Sequence, residues 1–256
     1  MLYKLFENIL ENKDVYTSAN DGTRFEDKLR SRLRTNFSEF KKNDIFNLEG
    51  IAKKTAEKKY KELKEKILSK SSVEIVENPF GKIDNSFIFQ PYGSQNFPDF
   101  LIFTNGFVIP VEAKFSTNEK EGSNKPTENS KPMWNSNLPK ANALYIYGIA
   151  GLNITFFIGS DVLCQETREK LLGFWDRLIE GDFGKIFIEE IKMSENPFGF
   201  YPYIRKAYDQ KLTASTYTYK TKEGDIKVGI ESFFSDGSKQ REQNLIIFLK
   251  NIEDKK

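Results

Sequence analysis

The sequence contains no histidine and a single cysteine, Cys164. Without histidine there is no Ser-His-Asp or Cys-His nucleophile system, no HExxH zinc site and no histidine-based nuclease centre. One cysteine cannot close a disulfide within the chain or build a structural zinc site, and it suits a reducing, cytoplasmic compartment. No apolar run approaches the length of a membrane span. The opening residues MLYKLFENILENKD set acidic side chains soon after a short apolar patch, unlike a secretory signal. A large excess of one charge is also missing. Lys and Arg number 39 against 37 Asp and Glu, so any nucleic-acid surface has to be local. Gly148, Gly151 and Gly159 form no GxGxxG pattern, which removes support for a nucleotide-cofactor loop. Acid–base or metal chemistry therefore rests on Asp, Glu, Lys or Tyr. Carboxylates without histidine or cysteine favour a hard cation such as Mg²⁺ over zinc.

What is present is a chain of 256 residues, 38% apolar and 30% charged, enough for one large globular domain with a substantial core. Phe25, Leu29, Leu33 and Phe37 recur every four residues and predict a helix over 23–40, with Thr23 and Glu26 in a capping-box pattern at its start. A second helix is expected over 50–69, its apolar face formed by Ala52, Ala56, Tyr60, Leu63 and Ile67. From Lys53 to Lys70 eight lysines stand against Glu57, Glu62 and Glu65; this face is either solvated or a contact for a phosphate backbone. Strands are expected at Phe87–Gln90, Asp99–Phe103, Phe107–Phe115, Ala143–Ile149 and Asn153–Ile158, all rich in Phe, Ile, Val and Tyr. A helix follows over Asp161–Ile179, with Asp161 as N-cap and Leu163, Leu171, Leu172, Trp175 and Leu178 at helical spacing. Ser116–Lys140 reads as a long polar loop. The tail, 195–256, reads as aromatic segments broken by turns at Glu223-Gly224 and Asp236-Gly237. The order predicts a single α/β (α+β) domain over residues 1–256 with a central mixed sheet flanked by helices.

The segment FPDFLIFTNGFVIPVEAKF carries the chemistry. Asn105-Gly106 is a strong signal for a two-residue type I′ hairpin turn. Such a turn pairs Thr104 with Phe107, and stepping outwards along both strands sets Asp99 opposite Glu112. Opposed side chains share a sheet face, with Cβ atoms about 4.5–5.5 Å apart. Lys114, two residues beyond Glu112, joins them there. Pro110 is the residue that could break this register, through a bulge or its missing N–H. Two opposed carboxylates repel unless one holds a proton, they spread apart, or a cation binds between them.

Pro98-Asp99, twelve intervening residues and then Glu112-Ala113-Lys114 resembles the signature of PD-(D/E)XK nucleases, best known from type II restriction endonucleases. The resemblance implies a restriction-endonuclease-like fold with a catalytic hairpin. It also implies that Asp99, Glu112 and the main chain of Ala113 hold Mg²⁺ and that Lys114 positions the attacking water. Glu26, in GTRFEDKL, resembles the glutamate that the family often sets beside the metal on a preceding core helix. QPYGSQN, Gln90 to Asn96, and KPMWNSNLP, Lys131 to Pro139, are similar to flanking segments in some restriction enzymes. Ser94 and Gln95 would then touch the scissile strand or simply form a turn. Lys125, Lys131, Trp134 and Asn135 would contact DNA from the long loop, unless Trp134 only anchors it and the lysines are solvated. Arg205 and Lys206 among Tyr201, Tyr203 and Tyr208 form a basic-aromatic patch that is either packing or base recognition.

The expected activity is Mg²⁺-dependent, sequence-specific cleavage of double-stranded DNA leaving 5′-phosphate ends, by a homodimer suited to palindromic sites. Residues 195–256 would be an elaboration for DNA recognition or dimerisation, and a DNA methyltransferase is expected in the same system. A repair or resolvase-like nuclease of the same fold, and a non-catalytic DNA-binding module, are the alternatives.

Overall fold

The computed structural model describes residues 2–68, 75–81, 83–94, 96–117, 126–127, 130, 132, 139–170, 218–221, 224–227, 233–234 and 236–254. The apolar segments singled out above form the heart of a seven-stranded mixed sheet. Its strands are β1 (Ser38–Phe40), β2 (Val76–Glu77), β3 (Ser86–Phe89), β4 (Phe100–Thr104), β5 (Phe107–Ser116), β6 (Leu144–Ile149) and β7 (Asn153–Ile158). They run in the order β1-β3-β4-β5-β6-β7, with β2 added beside β5. β1 is parallel to β3 and β5 to β6; the other neighbours are antiparallel. A parallel pair needs a crossover of a dozen residues or more, and the stretch between Ser116 and Leu144 supplies it.

Both sheet faces are covered. On one, Phe87, Phe100, Ile102, Ile109, Val111, Ile146 and Phe156 pack with helices α1 (Tyr3–Glu11), α2 (Lys13–Thr17) and α3 (Gly22–Leu33). On the other, Ile88, Leu101, Phe103 and Val108 meet α4 (Lys42–Phe46) and α5 (Lys53–Leu68). α5 buries Ala56, Tyr60, Leu63 and Ile67. Ala52, expected on that face, is exposed ahead of the helix, its carbonyl accepting from the amides of Thr55 and Ala56. Among the described residues no helix is long and apolar enough to cross a membrane.

Several expected boundaries shift. The helix expected over 23–40 ends at Leu33, and Ser38–Phe40 becomes a strand beside β3. Phe37 extended the four-residue spacing because a turn after the helix returns it to the same core, its amide donating to the Leu33 carbonyl. The N-cap is Asp21, whose side chain accepts from Arg24 N at 2.7 Å, so Thr23 and Glu26 form no capping box. Asp161 is not an N-cap. It lies inside a single helical turn, α6 (Gly159–Val162), and accepts from Asn244 at 3.2 Å. The helix is interrupted at 163–164 and resumes over 165–170; residues 171–179 lie outside the described set. In the tail, β8 (Thr218–Thr221) and β9 (Gly224–Lys227) pair antiparallel, and Gly224, expected in a turn with Glu223, is instead the first residue of β9, opposite Thr221. Asp236-Gly237 instead opens a helix, α7 (Asp236–Glu253), which buries Leu245, Leu249 and Ile252 in the main core.

Two glycines fix close approaches. Phe25 of α3 stacks on Phe115 of β5 with ring centroids 4.7 Å apart. A Cβ on Gly148 of β6 would lie 2.9 Å from the Phe115 ring and 3.0 Å from that of Phe25. A Cβ on Gly159 would fall 1.9 Å from the Lys140 carbonyl oxygen, which belongs to rigid backbone. Gly148→Ala is therefore expected to cost about 1–3 kcal/mol, because rings can shift, and Gly159→Ala more than about 3 kcal/mol. Urea unfolding of both variants checks the order; equal midpoints would contradict it.

Candidate active site

Asn105 and Gly106 both have positive φ, 50° and 77°, the signature of a type I′ turn, and Thr104 pairs with Phe107. Pro110 leaves this register intact. It pairs with Leu101 at a position of the alternating ladder that exchanges no hydrogen bonds. On its other side β2 pairs no further than Val108 and β6 no earlier than Val111, so its missing N–H is not needed.

The ladder ends at Phe100 and Val111. One step on, Asp99 and Glu112 flank the mouth of the hairpin. Asp99 Oδ2 accepts from the Ala113 amide at 2.7 Å, taking the place of the ladder acceptor that β4 no longer provides. In the same register Pro98 falls opposite Ala113 and, having no N–H, offers no donor to the Ala113 carbonyl. The Phe97–Pro98 peptide bond is cis. Glu112 pairs across to Tyr145 of β6, and Lys114 to Tyr147. Glu112 Oε1 accepts from Lys114 Nζ at 2.6 Å, while Oε2 is buried with no hydrogen-bond partner. Beside it on β6 Tyr145 is buried; its hydroxyl accepts from the Lys140 amide at 2.7 Å, and burial holds its phenol neutral.

Electrostatics follow from this crowding. Asp99 is only 8% exposed. Burial first, then the charges of Glu112 and Glu26, push its carboxyl up to about 8. Glu26 is also raised, chiefly by burial and then by Glu112, against the lowering effect of a hydrogen bond from Gln90. Glu26 thus stands within electrostatic reach of both hairpin carboxylates, although α3 packs on the sheet face opposite Glu112. Two contacts hold the helix there: the Phe25–Phe115 stack and a clamp in which Arg30 and Arg34 both bind Glu39 of β1, with Arg30 lying 4.4 Å over the Phe89 ring.

Asp99, Glu112, Lys114, Glu26 and Ala113 are therefore gathered at one end of the sheet. Ser94 is exposed in the turn between β3 and β4. Gln95, Lys125, Lys131, Trp134 and Asn135 lie outside the described residues, as do Tyr201, Tyr203, Arg205, Lys206 and Tyr208. Gln90, read from sequence only as the end of a strand and the start of a flanking segment, also enters the site. Its side chain donates to Glu26 Oε2 at 3.2 Å, and its amide donates to the Asp99 carbonyl at 2.7 Å. Its left-handed backbone, φ 45°, carries no sequence signal in a glutamine.

Among the described residues, no three His, Cys, Asp or Glu side chains are gathered in an arrangement that could hold a metal ion. The donors available for a cation are instead two carboxylates and the Ala113 main-chain oxygen, a hard oxygen set. The partnerless Glu112 Oε2 and the strongly raised Asp99 carboxyl are compatible with such a set, since both mark acidic oxygen short of compensating charge. No family model, no curated protein and no solved structure matches the chain.

The raised Asp99 carboxyl gives a pH signature. In metal-free protein the folded state keeps a proton, between about pH 4 and pH 8, that the unfolded chain has already released. Its contribution to stability is present at low pH and lost as pH rises through this window, with a slope of at most about 1.4 kcal/mol per pH unit. Asp99→Asn removes that share. It is expected to raise the melting temperature above the wild type at pH 8 and leave it little changed near pH 4. Parallel wild-type and variant curves across this range would show that Asp99 ionises normally.

Proposed function

We propose that the chain is a Mg²⁺-dependent endonuclease of the PD-(D/E)XK type, acting on double-stranded DNA as type II restriction endonucleases do. The observation that carries this reading is the placement of Asp99 and Glu112 one step beyond the last ladder pair of the hairpin, with Asp99 buried and one Glu112 oxygen lacking any partner. A mixed sheet with helices on both faces and a catalytic hairpin at its centre is consistent with a restriction-endonuclease-like fold.

In this reading Asp99, Glu112 and the Ala113 carbonyl hold the cation. When bound, Mg²⁺ would supply charge neutralisation at a phosphoryl oxygen and activation of a water molecule. Lys114 brings an ammonium to the site. Its contact with Glu112 offsets one negative charge and leaves its remaining N–H groups to orient water. Tyr145, registered beside Glu112 on β6, stacks on Phe97 with ring centroids 6.4 Å apart and gives the site an apolar neighbour. In the hydrolysis, a water oxygen bonds to phosphorus and the P–O3′ bond breaks, leaving a 5′-phosphate and a 3′-hydroxyl.

The test is cleavage of supercoiled plasmid with and without MgCl₂. Wild-type protein is expected to give discrete fragments only with Mg²⁺. Asp99→Ala and Glu112→Ala should lose cleavage but still shift DNA in Ca²⁺, which takes the same oxygen ligands with looser geometry. Near-normal cleavage by either variant would remove the site from the reaction. Nicking without discrete fragments would point to a repair or resolvase-like nuclease, and DNA binding without any cleavage to a non-catalytic module.

A further inference from the structure

Gln90 joins three parts of the candidate site although it is not one of the motif residues. It follows β3, and its backbone adopts φ 45°, a conformation that a residue with a Cβ takes at a cost. The main chain there is tied at both polar groups. Its amide donates to the Asp99 carbonyl at 2.7 Å, and its carbonyl accepts from Gly93 N at 3.1 Å. The side chain turns to α3, where Nε2 donates to Glu26 Oε2 at 3.2 Å. One residue thus fixes the main chain of one candidate ligand and the carboxylate of its acidic neighbour on another element.

We propose that Gln90 is a positioning residue for the metal centre, holding the Glu26 carboxylate towards the Asp99–Glu112 pair while anchoring Asp99 through the backbone. The chemistry of the residue fits that task. A neutral amide donates to Glu26 without adding a further negative charge to a site already crowded with carboxylates. Glutamate here would repel Glu26, and asparagine would fall one methylene short. The proposal rests on the metal-centre reading above.

The substitution Gln90→Gly separates a structural role from a positioning one. Glycine accepts positive φ without strain. The variant is therefore expected to melt at the wild-type temperature or higher in EDTA, yet bind Mg²⁺ more weakly. The measurement is a calorimetric titration of MgCl₂ into metal-free protein for the wild type, Gln90→Gly, Glu26→Ala and the double variant, with Asp99→Asn as reference. Removing a group that orients a metal site typically raises the dissociation constant by roughly 10-fold to 100-fold. Gln90→Gly should show a rise of that size. Glu26→Ala should show a similar one, and the double variant no further rise, since both changes break one link. Wild-type Mg²⁺ affinity in Gln90→Gly would overturn the proposal, as would additive losses in the double variant or a fall in melting temperature that tracks the loss of binding. If the wild type itself shows no Mg²⁺ binding sensitive to Asp99→Asn, the metal-centre reading falls first and the proposal falls with it.

Discussion

Two carboxylates held at the mouth of one hairpin, largely out of water, set the terms for this end of the structure. Each carboxylate charge costs free energy to bury, and each raises the cost of the other. The chain answers with local partners. Asp99 takes the Ala113 amide, Glu112 takes Lys114, and one Glu112 oxygen is left with nothing. The turn at Asn105-Gly106 makes this conflict unavoidable. It fixes the register of β4 and β5, and a slip of one residue would throw Glu112 and Lys114 to the opposite face from Asp99. Holding both acids charged here would be costly; the proton that Asp99 retains relieves that cost in the metal-free protein, and the proposed cation would take over that role.

The surrounding elements serve to hold that arrangement still. Tyr145 on β6 stands beside Glu112, and the parallel pairing of β5 with β6 keeps it in register. α3 is held at one end by the Phe25–Phe115 stack, which lies close over the backbone of Gly148, and further along by the shared grip of Arg30 and Arg34 on Glu39. Half-exposed ion pairs of this kind contribute little individually, about 0–1 kcal/mol. The Glu39 group gains from geometry: two guanidinium groups meet one carboxylate, with an aromatic ring beneath Arg30. The consequence is that Glu26 is brought to the open end of the sheet from the opposite face, where Gln90 meets it.

How much of this was legible in the sequence depended on whether the signal was local. The five central strands and the hairpin register could be read because apolar runs bounded by Gly, Asn and Pro, and an Asn-Gly turn, are written in adjacent residues. The end of α3 was not, because Phe37 continues the helical spacing from a turn. The α7 start was hidden because Asp-Gly has the composition of a turn whether or not a helix follows. Asp161 looked like a cap, yet its partner, Asn244, lies in a distant helix. Gln90 left no trace, since its positive φ and its bond to Glu26 exist only once three elements have assembled. The register read from the turn leads to Asp99 and Glu112 one step beyond the last ladder pair, Phe100 and Val111. What the sequence did not display was the depth of burial that raises Asp99 and strands the Glu112 oxygen.

The proposed function requires Asp99 and Glu112 to form an oxygen site that trades a proton for a divalent cation. Metal-free protein titrated with MgCl₂ near pH 7, in buffers of different ionisation enthalpy, counts the protons released on binding. With the Asp99 carboxyl raised to about 8, close to one proton should leave for each Mg²⁺ bound at this site. Proton release should fall towards zero as the pH is taken well above that value. Absence of binding, or binding that releases no proton near pH 7, would contradict the account.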